Sequence, residues 1–337
     1  MREMKKTGVA VKKVILDYPI ALFVLLAVLF GVLFVPHFVS VYNMKNICLQ
    51  LCDLLVIACG YTFVELNAGT DLSCTSILAV GSVVGAYVMV FLFPEAPLLG
   101  TVAGIVTILF VGAIFGAING LAVVRLKMPS FIASMATMLI GAAFATWFAS
   151  FALGKTSIGG LPQSFIVLGG SGNYFFVPII IALCMWGLAD FLLKRTKFGR
   201  DVYSVGTNPK AAHISGIKVK KTVFWMFMLC ALFAAVESIL LTARNQAGMS
   251  NLGSTMFLNI VSAVVIGGTS VSGGFGGVRQ TFLGSLFIVL INNAMNLIGV
   301  EWYTIMLVQG LLILLATILD YMVKNSRYRV KKAVKEE

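Results

Sequence analysis

The chain is a succession of apolar stretches, each close to the length that crosses a membrane, separated by short polar breaks. A hydrocarbon layer of about 30 Å takes about 20 helical residues at about 1.5 Å each. Ten stretches near that length occur, at 20–39, 47–66, 74–94, 98–124, 129–151, 174–193, 221–244, 256–273, 279–299 and 302–323. Lipid cannot satisfy backbone N–H and C=O groups, so spanning segments of this kind must be helical. The expected fold is therefore an all-α polytopic membrane protein of about ten transmembrane helices. Composition agrees: 59% of residues are hydrophobic and 11% charged, against about 25% charged in a soluble domain.

The net charge of +12 would suggest nucleic acid in a soluble protein, but here the basic residues flank apolar runs, where they set topology and attract anionic lipid. With the N-terminus inside, 22 of the 25 Lys and Arg fall on the inner side, and only Lys45, Lys155 and Arg244 fall outside. Cytoplasmic loops carry such an excess, so both termini are expected in the cytoplasm. The chain then divides into a basic tail (1–19), a transmembrane domain (20–323) and a second basic tail (324–337). The basic start, with Arg2, Lys5, Lys6, Lys12 and Lys13, leads into an apolar run too long for a cleaved signal peptide, so the first span is expected to stay as an anchor.

One cytoplasmic break differs from the rest. Residues 194–221 hold eight Lys and Arg, and within them Asn208 suits an N-cap, Pro209 the first helical position and Gly216 a left-handed stop. A helix over Lys210–Ser215 would be too short to stand alone, which points to a rigid handle held against a partner or against the membrane surface. Two further stretches are poor helix: NAGTDLS (67–73), and GGTSVSGGFGG (267–277) with six glycines in eleven residues. Irregular backbone at membrane depth survives only beside protein or a water-filled cavity, so these are candidate translocation-path or hinge elements, or else tight turns at the cytoplasmic face. They resemble each other, Gly69-Thr70-x-Leu72-Ser73 against Gly268-Thr269-x-Val271-Ser272, and Ile118-Asn119 recurs as Ile291-Asn292, which suggests an internal repeat.

Chemistry of other kinds finds little support. The six cysteines (Cys48, Cys52, Cys59, Cys74, Cys184, Cys230) form no CxxC pair and read as small buried hydrophobes, and no metal or catalytic constellation is expected. The nearest approach to a phosphate-binding loop, at 149–156, lacks the leading glycine. Energy must come from a partner or an ion gradient. Asp53, Asp71 and Glu237 lie within spans, where ionisable groups are costly and often functional; Asp190, Asp320 and Glu65 lie near span ends, open to water or to lysine. Glu237 and Arg244, seven apart, share a helix face. Asn119, Asn292, Asn293 and Asn296 could bond a polyol in a pore or act as interhelical glue, and Asn292 and Asn296 face the same way.

Four ordered motifs make the chain similar to a known family: TFVELNAGTDLSCTSILAVGSVVGA, AINGLAVVRLKMPSFIASMATM, TKFGRDVYSVGTNPKAAHISGI and VIGGTSVSGGFGGVRQTFLGSLFIVLINNAMNLIGV. It resembles the permease subunits of ribose-type bacterial ATP-binding cassette importers, nearly end to end. The resemblance implies a multi-pass permease of the bacterial inner membrane that moves a monosaccharide or related polar solute. It would have no ATPase site and no cofactor of its own. Its implied partners are a cytoplasmic ATPase, an extracytoplasmic binding protein and a second permease subunit, identical or paralogous. It further implies that Gly199, Arg200, Gly206, Asn208, Ala211, Ala212, His213, Gly216 and Ile217 belong to the coupling segment that docks on the ATPase. The path or hinge set comprises Gly69, Asp71, Ser73, Asn119, Gly267, Gly268, Thr269, Ser272, Gly273, Gly274, Asn292 and Asn296, with Asp71 matching the acidic residue of the family's Gly-Gly-Ile-Asp-Leu-Ser motif. The sequence departs from the family at Ala68 and Thr70, usually Gly and Ile, at Cys74-Thr75, at His213, and at Arg279-Gln280. The alternative reading is an ion-coupled secondary transporter built on the carboxylates within the spans.

Overall fold

The computed structural model describes residues 20–318 apart from Lys155. The expected tails at 1–19 and 324–337, the last residues of the tenth span and Asp320 lie outside the described residues. In chain order the helices are α1 (Ile20–Phe34), α2 (Val41–Glu65), α3 (Cys74–Tyr87), α4 (Pro97–Val124), α5 (Ser130–Thr146), the one-turn α6 (Gln163–Ile166), α7 (Phe176–Arg195), α8 (Lys197–Thr207), α9 (Pro209–Ile214), α10 (Val219–Asn245), α11 (Met256–Gly267), α12 (Val278–Leu297) and α13 (Trp302–Ile318). Seven of these segments are long and apolar enough to cross a membrane, two of them, α3 and α5, once their π-helical continuations over Val88–Leu92 and Trp147–Ala152 are included. The shorter apolar helices α1, α11 and α13 stand where the other three spans are expected.

Local chemistry explains where the boundaries moved. Helix α2 begins at Val41, earlier than the expected 47, because the Ser40 hydroxyl caps it by accepting from the Asn43 amide at 3.2 Å. Helix α4 starts on Pro97, a residue suited to the first turn. Helix α11 stops at Gly267 rather than 273, since Gly268 turns left-handed at φ +109°.

Helices α2, α3 and α10 form the centre of the bundle, and α4, α5 and α7 its flanks: about 70% of the most apolar window is buried in the first group (72%, 67% and 67%), against 33%, 22% and 22% in the second. The outward faces carry large apolar side chains such as Leu33, Phe110 and Ile140, as expected where the solvent is lipid. Association of apolar helices in lipid depends on close packing. Here Gly112, Gly116 and Gly120, four apart on α4, lie against Ala231, Ala235, Phe227 and Phe224 of α10, and the missing α4 side chains let the two helices approach closely. Buried polar pairs add to this. Asn43 and Asn293 exchange hydrogen bonds at 2.9 and 2.8 Å between α2 and α12, and the hydroxyls of Thr62 and Thr281 join the same helices at 2.7 Å.

The segment between α5 and α7 is not a plain loop. Its strand β1 (Ser157–Ile158) pairs antiparallel with β2 (Gly248–Met249), just past the end of α10. Phe165 of α6 is fully buried, the Ser164 hydroxyl meets that of Thr101 on α4 at 2.7 Å, and Gly169 lies against the backbone of Ala243 and Arg244. This end of the bundle, opposite α8 and α9, is closed by a packed cover.

Two expectations about polar groups are corrected here. Cys48 and Cys184 are exposed, while Cys52, Cys59, Cys74 and Cys230 are buried; an outward helix face in lipid takes a small weakly polar side chain as readily as the core does. Glu65, placed near water by the sequence, is buried at the end of α2 at 3% exposure, where the loop that follows turns back on the helix end with the Ala68 amide donating to the Glu65 carbonyl.

Candidate functional site

Amide side chains in an apolar span are conspicuous because each must find a partner. Between α2, α10, α11 and α12 they gather around a cavity of about 280 Å³ lined by Gln50, Asp53, Leu54, Leu241, Met256, Asn259, Val289, Asn292 and Asn296. Asn292 donates to the Asn259 carbonyl oxygen at 3.0 Å, and Gln309 of α13 donates to both, at 2.7 Å to Asn259 and 2.8 Å to Asn292. The expected same-face pair Asn292 and Asn296 thus lies on one wall, whereas Asn293 faces away and bonds Asn43. Gln50, Asn259 and Gln309 were not singled out from sequence, although the same signal, an amide within an apolar run, marks each of them.

Asp53, on the cavity wall, is paired with Arg244, whose other nitrogen donates to Asn46 at 3.3 Å. Arg244 therefore reaches across to α2 instead of serving Glu237 on its own helix. Both carboxylate oxygens of Glu237 are buried with no hydrogen-bond partner among the described residues.

A second polar cluster surrounds Asp71. Its Oδ1 accepts from the Ser73 amide at 3.0 Å and from the Ser73 hydroxyl at 2.6 Å; that hydroxyl in turn accepts from Asn119 at 2.7 Å, and Thr137 donates to Asn119 at 2.8 Å. Asp71, Ser73 and Asn119 are each fully buried. The chain of bonds ties the loop after α2 to α4 and α5. Asn119 is thus interhelical glue, remote in its bonding from Asn292, and the sequence likeness of the two Ile-Asn pairs carries no shared contact.

The handle is built as its residues suggest, and extends further. Asn208 accepts from the amides of Lys210 and Ala211 at 3.1 and 3.0 Å, Pro209 begins α9, and Gly216 closes it at φ +82° with the Ile217 amide donating to Ala212 at 3.0 Å. Ala212 is buried, while Ala211, His213 and Gly216 are exposed and Ile214 stands 86% exposed. Residues 197–207, where the family resemblance puts Gly199, Arg200 and Gly206 in the coupling segment but no helix is expected, form the amphipathic helix α8, capped by Thr196 accepting from Gly199 at 3.2 Å. Gly199, Val202 and Val205 face inward and Arg200 outward. Gly199 sits on the last carbonyls of α7, and Phe198 stacks near Phe63 of α2 at 6.2 Å.

The two irregular stretches are turns at the handle's end of the bundle, in contact with it and with each other: the Gly274 amide donates to the Leu66 carbonyl at 2.8 Å. Gly69 and Thr269 each donate to the carbonyl five residues back, Val64 and Val264, both at 3.1 Å, after left-handed Ala68 and Gly268. The turns therefore match locally, in a register one residue off the sequence likeness: Ala68 corresponds to Gly268. Ser272 is exposed at the tip of the second turn, and Thr269 accepts from the Gly277 amide at 3.3 Å. Arg279 forms a bidentate pair with Asp190 of α7 at 3.0 and 2.9 Å, and Asp190 also holds Lys194 at 3.1 Å. No group of three or more His, Cys, Asp or Glu placed to hold a metal occurs among the described residues.

A bundle of apolar helices around an amide-walled cavity, with a stiff polar handle at one end, is the build of a membrane transport protein. Residues 43–317 match the family described as branched-chain amino acid transport system / permease component, and the chain belongs to that family. It is 34% identical to the ribose import permease protein RbsC of Haemophilus influenzae, covering 89% of this chain and 91% of that one. It is 30% identical to the galactose/methyl galactoside import permease protein MglC of the same organism, over 93% and 95%, and 33% identical to the L-arabinose transport system permease protein AraH of Escherichia coli, over 88% of each. No solved structure matches the chain.

Proposed function

We propose that this permease conducts a monosaccharide through the bacterial inner membrane as the transport subunit of an ATP-binding cassette importer. It works with a cytoplasmic ATPase, an extracytoplasmic binding protein and a second permease subunit. The observation that carries the choice of solute is the cavity wall. Gln50 and Asn296 bring amide donors and acceptors to a wall on which Asn259 and Asn292 are bonded to each other and to Gln309; such a polar lining suits hydroxyl groups better than a branched aliphatic side chain. At about 280 Å³ the space lies just below the usual ligand-pocket range of about 300–1,000 Å³, consistent with one small solute. Three relatives named for ribose, galactose and arabinose support the same class.

In this reading the ten apolar helices all cross the membrane and both termini face the cytoplasm, so that α8 and α9, the turns at 66–73 and 267–277, and Arg125 and Lys127 share the inner side. Exposed Ile214, with Ala211 and His213 beside it, is the face offered to the ATPase, and the tight caps of α9 keep a push from being absorbed. The ion-coupled alternative needs a relay of ionisable groups across the membrane. Asp53 is paired with Arg244 and Asp71 Oδ1 with Ser73, and among the described residues no hydrogen bond links them to Glu237, whose oxygens have no partner there.

The test is reconstitution in proteoliposomes. The chain alone accumulates no ribose, galactose or arabinose, and addition of ATPase, binding protein and ATP confers uptake of one of them. Deletion of residues 208–216 abolishes uptake and co-purification of the ATPase while membrane insertion persists. Accumulation without the ATPase that collapses with an uncoupler would overturn the proposal in favour of ion coupling.

A further inference from the structure

The last turn of α8 meets two loops with almost no side chain between them. A Cβ added at Gly206 would run into the Leu66 carbonyl and stand 2.9 Å from the Gly274 amide, the same two groups that are hydrogen bonded to each other. At Gly273 it would lie 2.8 Å from the Leu66 oxygen, 2.9 Å from the Ala68 nitrogen and 3.1 Å from the Gly206 oxygen. One turn earlier, the Tyr203 hydroxyl donates to the Gly276 carbonyl at 2.8 Å. Burial, with the Asp190 carboxylate adding to it, pushes the Tyr203 phenol above its ordinary range. Each loop is braced again on its far side. The 66–73 loop is tied through Asp71, Ser73 and Asn119 to α4 and α5, and the 267–277 loop ends where Trp186 of α7 donates to the Val278 carbonyl at 3.0 Å.

Contacts of this kind transmit displacement. Side chains between two elements can absorb a small shift by changing rotamer, but backbone packed on backbone leaves no such slack. We propose that Tyr203 and Gly206 are positioning residues that convey movement of the handle to both irregular loops, so that the loops open and close the inner end of the pathway together. This rests on the reading of α9 as the face that meets the ATPase, and it gives the two glycine-bearing motifs a mechanical task in place of contact with solute.

The test uses the complete importer, with ATPase and binding protein, reconstituted with wild-type chain, Tyr203→Phe and Gly206→Ala. Tyr203→Phe removes one hydrogen bond and keeps the ring; Gly206→Ala drives a methyl between Leu66 and Gly274. Tyr203→Phe is expected to keep co-purification with the ATPase and ATP hydrolysis within about twofold of wild type. Sugar moved per ATP hydrolysed is expected to fall at least threefold in Tyr203→Phe and further in Gly206→Ala. Unchanged transport per ATP in Tyr203→Phe would overturn the proposal, as would loss of ATPase co-purification, which would place the residues in docking instead. Should Gly206→Ala not fold, Tyr203→Phe, checked for an unchanged unfolding midpoint, decides alone. If wild-type chain itself supports no ATP-driven uptake, the transport reading fails and not merely this one.

Discussion

Removing both members of the Asp53–Arg244 pair should cost clearly less than the sum of removing each alone. Arg244→Leu leaves the Asp53 carboxylate without its counter-charge beside the cavity. Breaking a fully buried pair in this way costs about 3–5 kcal/mol. Here the side chains keep 26% and 12% of their exposure, which reduces the expected loss to about 2 kcal/mol. At about 2–4 °C per kcal/mol for a chain of this order of size, the unfolding midpoint should drop by about 4–8 °C. Asp53→Leu should cost a similar amount by stranding Arg244. The double variant, with no charge left to strand, should lose less than the sum by about 1–2 kcal/mol. Thermal unfolding of the purified permease in nanodiscs, run as a double-mutant cycle, measures this. Losses that add to within about 0.5 kcal/mol would show the pair to be uncoupled and refute the account.

Two other substitutions follow from local geometry. Ala68 holds φ +52° where its counterpart in the second turn is Gly268; Ala68→Gly should relieve about 1 kcal/mol of left-handed strain and raise the unfolding midpoint, and a fall would refute the assignment of strain. Asn119→Leu breaks two buried hydrogen bonds, to Ser73 and to Thr137, although both hydroxyls keep other partners, and should cost about 1–3 kcal/mol, against about 1 kcal/mol for Thr137→Val; equal losses in thermal unfolding would contradict the bonding order.

Much of this was legible in the chain because membrane helices are written in long apolar runs. The cap at Asn208, the proline at 209 and the stop at Gly216 were legible for a different reason: each is a local rule of backbone chemistry, and nothing distant overrides it. Partners across the bundle were not legible. The spacing of Glu237 and Arg244 suggested a shared face, yet Arg244 bonds Asp53, nearly two hundred residues away, because side-chain reach between helices depends on their crossing and not on their order. Helix α8 was missed although Phe198, Val202 and Val205 recur at helical spacing beside the small Gly199; the segment was read by its lysines and arginines, and its short apolar stripe was passed over. The contact of the two turns was also hidden, although their likeness was visible, because main-chain hydrogen bonds such as Gly274 to Leu66 leave no mark on residue type.

Helix α10 begins directly after the handle and ends at the residues that carry the β2 pairing and the Gly169 contact. Its 27 residues make a rod of roughly 40 Å, flanked along its length by the glycine ridge of α4. In the proposed orientation, a tilt imposed at the end beside the handle would swing the opposite tip, and with it the packed cover, the other way. In a protein hung on such a see-saw, admitting solute on one side and sealing the other are a single motion.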